Sequence, residues 1–133
     1  MAWFDYGKIE DELGIEVPSV FREFLETAEA NDYPISDLGF YPDSESLIQG
    51  NDQMLLTWDE WEDTFLAFGV EDGCGNCYFI SAESVDDDEL YLMAHDPPGI
   101  EPEGSAREFF ALALKACASG KAHGYPDGWE SGC

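Results

Sequence analysis

Basic residues are nearly missing from this 133-residue chain: five Lys and Arg stand against thirty Asp and Glu, a formal net charge of −25. Phosphate backbones and anionic leaflets are held by cationic side chains, so direct binding to DNA, RNA or a membrane surface is not expected. Long apolar runs are missing as well. The longest, Phe65 to Phe68 and Phe109 to Leu114, fall far below the roughly 18 residues that mark a membrane span. Met1-Ala2-Trp3-Phe4-Asp5 places no basic segment ahead of an apolar run, so no secretory signal is read there and a soluble, cytoplasmic protein is expected.

Catalytic signatures are also absent. The chain has no Gly-x-Ser-x-Gly elbow, no phosphate-binding Walker loop, no dinucleotide fingerprint and no His-Glu-x-x-His. Among thirty acids, carboxylate pairs arise by chance, so their spacing carries no information. His95 and Asp96 are neighbours, and neighbours in a strand point to opposite faces, which argues against a base and its orienting carboxylate. Cysteine is sparse, with Cys74, Cys77, Cys117 and Cys133. Cys74-x-x-Cys77 has the spacing of a zinc knuckle, yet a structural zinc needs four ligands, and Cys117, Cys133, His95 and His123 supply no second pair. The same two cysteines precede a strand and lie among carboxylates, the opposite of a redox pair at a helix N-terminus. A calcium loop beginning at Asp72 fails because Cys74 and Cys77 fall where a ligand and the obligatory glycine belong. Reduced thiols are therefore expected, with no catalytic, cofactor or metal-binding residues.

What is present is the composition of one folded domain, 44% hydrophobic and 14% aromatic, long enough to bury roughly two-thirds of its unfolded surface. Its centre is Phe65 to Ile80, two apolar runs around Asp72-Gly73 and Gly75-Asn76, where positive φ is easily adopted. The pattern predicts a hairpin covered on both faces, chiefly by helices. Tyr6, Ile9 and Leu13 predict a helix over Trp3 to Leu13, closed by Gly14. Pro18 opens a second helix, with Phe21, Phe24, Leu25 and Ala28 along one stripe. Leu38 to Tyr41 reads as a short strand, Ser46 to Met54 gives weak signals of either kind, and Leu55 to Glu62 reads as a short helix or helical turn before the hairpin. Asp86-Asp87-Asp88-Glu89 reads as a solvated loop. A third strand is expected over Leu90 to Ala94, stopped by Pro97-Pro98. Ser105-x-x-Glu108 is a capping box ahead of a last helix reaching about Ala118, followed by a loosely packed tail over 121–133.

These residues carry a resemblance. Gly69, Glu71, Asp72, Gly73, Gly75, Asn76, Tyr78 and Phe79, followed by His95-Asp96, resemble the core of the SUKH superfamily, which includes the eukaryotic Smi/Knr cell-wall regulators. Leu13-Gly14-Ile15-Glu16-Val17-Pro18 with Phe21 and Phe24-Leu25 is similar to the family's opening block, and Ser105 to Leu114 to its closing helix. Ala30-Asn31-Asp32-Tyr33 departs from the family's usual Asn-Gly-Gly, and Cys74 and Cys77 are not family requirements. The resemblance implies a single α+β domain, an antiparallel sheet around a central hairpin with helices packed at both chain ends. It also implies a protein-binding module, because small acidic bacterial members act as immunity proteins against polymorphic toxins, often nucleases. Charge points independently to a basic partner, although acidity can equally serve solubility or reflect a salt-adapted source. The expected function is neutralisation of a basic protein toxin, the alternative a regulatory scaffold of Smi/Knr type, and a metal-dependent enzyme stands third. Candidate partner contacts are Asp43, Glu45, Glu71, Asp72, Asp86, Asp87, Asp88 and Glu89, on loops around the hairpin.

Overall fold

The computed structural model describes residues 3–71, 76–83, 88–95 and 98–119. Helix α1 (Tyr6–Leu13) begins after Asp5, whose carboxylate accepts from the Lys8 N–H at 3.1 Å, so Trp3 and Phe4 stand outside it. Gly14 ends the helix with φ 68°, in the left-handed region that glycine occupies without steric penalty. Helix α2 (Ser19–Ala30) follows Pro18, whose carbonyl accepts from the Arg22 N–H at 3.0 Å. Phe21, Phe24, Leu25 and Ala28 are buried along it, as the spacing predicts.

The strand expected over Leu38 to Tyr41 does not form: a 3₁₀ turn (Ile35–Leu38) ends at its first residue and is closed by Gly39 at φ 103°. One strand-like bond survives, from the Tyr41 N–H to the Phe68 carbonyl at 3.0 Å. Helix α3 (Ser44–Thr57) covers the weakly patterned stretch and is the longest described helix, and the short helix or helical turn expected over Leu55 to Glu62 is the end of this helix and the turn after it. Asp43 caps it, accepting from the Ser46 N–H at 2.9 Å. Trp58 closes it through its N–H to the Met54 carbonyl, and Trp58 to Trp61 form the turn that leads into the sheet.

Strands β1 (Phe65–Glu71), β2 (Cys77–Ser81), β3 (Glu89–His95) and β4 (Pro98–Ser105) pair antiparallel in chain order, and α4 (Ala106–Ala118) follows. The expected hairpin is β1–β2, and the fold is α+β as expected. Its turn glycines, Gly73 and Gly75, lie outside the described residues. Strand β3 stops at His95, ahead of Pro97-Pro98 as expected, but the sheet continues in a strand that the pattern does not show: Pro98 is the first residue of edge strand β4 and Pro102 lies within it, where a missing N–H is tolerated. In β1 the register shifts between Ala67 and Glu71, and the bulge holds Gly69 at φ 108°. A Cβ at Gly69 would stand 2.5 Å from the Gly39 carbonyl oxygen and 2.8 Å from the Tyr41 nitrogen, so no larger residue fits without moving backbone.

Two apolar layers sandwich the sheet. On the helical side the Phe24 ring centre lies 4.8 Å from those of both Phe40 and Phe110, and the Phe68 ring centre lies 5.2 Å from that of Phe110. On the other side Phe79 lies 4.4 Å from Phe65 and 5.0 Å from Trp61, with Ala67, Cys77 and Met93 beside them. Both faces of the hairpin are thus buried as expected, but the second is covered by the turn after α3 rather than by a helix alone.

Asn51, 2% exposed, ties α3 to β1. Its side-chain amide donates to the Ala67 carbonyl at 2.9 Å and to the Leu47 carbonyl at 2.9 Å, while its oxygen accepts from the Ala67 N–H at 2.7 Å. Asn51→Leu keeps the branched outline of the side chain and removes all three bonds, leaving two buried backbone groups of Ala67 unpaired. The expected loss of stability is about 2–4 kcal/mol by urea unfolding. A loss below about 0.5 kcal/mol, the range of an ordinary surface change, would show that Ala67 is satisfied without this side chain.

Tyr6 sets an alkaline limit. Its hydroxyl oxygen is buried without a hydrogen-bond partner among the described residues, and the Arg22 guanidinium lies 4.3 Å from its ring centre. Burial first, then the Glu26 and Glu29 carboxylates, push its pKa from 10.0 up to about 12 against the opposing pull of Arg22. The folded state keeps this proton after the unfolded state has released it, so stability is intact below pH 10 and falls as pH rises through 12. Tyr6→Phe should flatten that fall and leave stability at neutral pH unchanged or raised, since no hydrogen bond is lost. The same alkaline decline in the variant would assign it to other groups.

Candidate functional site

Charge is distributed unevenly along the fold. Residues 23–106 contain twenty-two Asp and Glu and no Lys or Arg. That stretch supplies most of α2, all of α3 and every strand. The described cations, Lys8, Arg22, Arg107 and Lys115, all belong to α1, α2 and α4. Two of them are engaged at home: Arg22 covers the Tyr6 ring, and Arg107 meets Glu23 at 2.9 Å. The latter pair is more than half exposed, so solvent screens most of its attraction.

Within this acidic stretch the candidate contacts divide into separate places. Asp43 and Glu45 stand at the start of α3, where the positive end of the helix dipole favours carboxylates. Asp43 is occupied as the cap, and Glu45 is exposed. Asp88 is built into the other end of the structure. Its two carboxylate oxygens accept from the Arg107 N–H at 2.8 Å and the Ser105 hydroxyl at 2.7 Å, and its carbonyl accepts from the Ala106 N–H. The Ser105 hydroxyl in turn accepts from the Glu108 N–H at 3.2 Å. Asp88 and Ser105 together satisfy the orphan N–H groups that open α4. The last acids of the expected solvated loop therefore serve the fold: Asp88 caps a helix, and Glu89 begins β3 opposite Ser105. Asp72, Asp86, Asp87 and the side chain of Glu71 lie outside the described residues.

Other chemistry finds little support in the geometry. Cys77 and Cys117 are buried thiols on opposite faces of the sheet, so they do not converge on one ion. Burial, with the Asp37 carboxylate, pushes the Cys117 thiol pKa up. Cys74, Cys133, His123 and Asp96 lie outside the described residues. Among the described residues no cluster of three or more His, Cys, Asp or Glu is arranged to hold a metal. A groove of about 420 Å³ runs between α2 and α4, crossed by the Arg107–Glu23 pair. No described helix is long and apolar enough to cross a membrane.

The pattern of residues did not reveal one apolar surface. Leu56 is 83% exposed and Leu55 47% exposed at the end of α3, next to half-buried Met54 and Trp58, which pack against the Trp61 layer. A signal existed: Leu56 falls outside the stripe of Leu47, Ile48 and Asn51 that faces inward.

The family described as SMI1 / KNR4 family (SUKH-1) matches residues 7–111, from the first turn of α1 into α4, and the chain belongs to it. No curated protein and no solved structure matches the chain.

Removing the Asp88 cap gives a direct check on its structural role. Asp88→Ala should cost about 1–2 kcal/mol, read as a lower midpoint in thermal or urea unfolding. Glu45→Gln, at an exposed position, should stay within about 0.5 kcal/mol of the parent. Equal effects of the two would remove the distinction between them.

Proposed function

We propose that this chain is an immunity protein that binds and neutralises a cationic bacterial toxin of the nuclease class. One observation carries the reading: a member of the SMI1 / KNR4 family presents a stretch of twenty-two acids with no Lys or Arg, covering α3 and the whole sheet. Nucleases hold phosphate backbones with Lys and Arg, so an acid-only surface complements the surface they must expose. The described cations are gathered on α1, α2 and α4, and the exposed acids on and beside α3 are left for a partner to neutralise. A second reading, a regulatory protein-binding scaffold of Smi/Knr type, is favoured by the name of the matching family itself. A toxin gene beside this one favours the first reading, and its absence the second.

Association kinetics test the proposal. With the product of a neighbouring toxin gene, steering should raise the association rate by ~10- to 10³-fold at low salt, and added salt should slow association far more than it speeds dissociation. The chain itself should not retard DNA or RNA. An association rate indifferent to salt would refute the steering argument, and tight nucleic-acid binding by the chain alone would refute the function.

A further inference from the structure

Leucine at an exposed helical position is unremarkable when it stands alone. Here two adjacent leucines, Leu55 at 47% and Leu56 at 83% exposure, stand in the last turn of a helix between Met54 and Trp58. Met54 and Trp58 are half-buried and anchor the turn to Trp61 and Phe79, and the backbone bonds from Trp58 to Met54 and from Trp61 to Trp58 hold its shape. The leucines therefore stand on a fixed platform and lose little freedom on being covered. Around them the charge has one sign. Asp52 lies three and four positions before the leucines, hence one turn away on the same helix, and Asp59 and Glu60 follow within four positions of Leu56. All three are exposed.

We propose that the end of α3, centred on Leu55 and Leu56, is an anchoring surface for a basic protein segment that offers an apolar side chain flanked by Lys or Arg. The proposal rests on the reading of this chain as a binder of cationic proteins and adds where the partner is gripped. An apolar centre inside a charged rim is how specific interfaces divide their work, with the centre supplying affinity and the rim supplying orientation and rate. A second copy of this chain fits poorly, because a symmetric contact would bring Asp52, Asp59 and Glu60 of two chains together. The open edge of β4 is a weaker competitor: Pro102, Glu101 and Glu103 oppose the addition of another strand.

The test uses the full chain and two synthetic peptides of equal length and equal lysine content, one with leucines along a helical face and one with glutamines in their place. Amide shifts followed during titration should centre on residues 52–60 for the leucine peptide, which should bind about tenfold more tightly than its glutamine counterpart. The double variant Leu55→Ser and Leu56→Ser should lose that tenfold gain while keeping the salt-dependent binding of both peptides. Equal affinity for the two peptides, shifts centred elsewhere, or a wild-type dimer in sedimentation that the double variant abolishes would each overturn the anchoring surface. Those results leave the toxin reading standing, since that reading fails only when a neighbouring cationic toxin is neither bound nor neutralised.

Discussion

Asn51 reaches from α3 to the outer side of β1 and bonds both backbone groups of Ala67, so a side chain stands where a fifth strand would otherwise be needed. A buried strand edge with open N–H and C=O groups is costly, and this contact, with the Tyr41 N–H bonded to the Phe68 carbonyl, closes it. The close approach is possible because Gly69 bulges without a Cβ against Gly39 and Tyr41. Once α3 is fixed to β1, its final turn carries Met54 and Trp58 onto the far face of the sheet, where Trp61 and Phe79 complete a second core. The placement of the helix, the burial of both sheet faces and the position of the exposed leucines all descend from this one junction.

The same junction explains what the residue pattern concealed. Helices α1, α2 and α4 and the β1–β2 hairpin were legible because caps, stripes and turn residues agreed with one another. In α3 they disagree. Asn51 faces inward because it stands in for a strand, Leu56 faces outward, and Gly50 interrupts the run because the Tyr41 hydroxyl occupies the space a Cβ would fill. Each departure weakens the helical signal, and each has a tertiary cause that lies outside the helix. Strand β4 was hidden differently: exposed on the edge, it has no apolar alternation to read, and its prolines imitate a stop.

At the candidate surface the total charge was legible and the roles of single acids were not. Asp88 belongs to a run that looks solvated, yet the N–H it caps lies nineteen positions away at Arg107, a distance no local pattern spans. Asp43 likewise reads as one acid among many until the Ser46 bond shows it to be a cap. The acids thus form two populations. Some, including Asp5, Asp43 and Asp88, satisfy helix N-termini and are held by geometry. Others, including Glu45, Asp52, Asp59 and Glu60, are exposed on or beside α3.

That division bears on how a chain with a net charge of −25 stays folded. Helix-capping acids lower the free energy of the backbone they serve, and the aromatic core supplies cohesion that exposed charge does not disturb. Asp52, Asp59 and Glu60, all exposed, have no such return within the described fold. With Arg22 over Tyr6 and Arg107 on Glu23, two of the described cations are engaged on the helical side, and the stretch from residue 23 to 106 offers none. A cationic surface from outside would relieve its mutual repulsion, so under the proposed function the property that weakens the isolated domain would strengthen its complex. Under the proposed function, binding and stability would be coupled through charge on this side of the molecule, where the leucines at the end of α3 are the most exposed large apolar residues described.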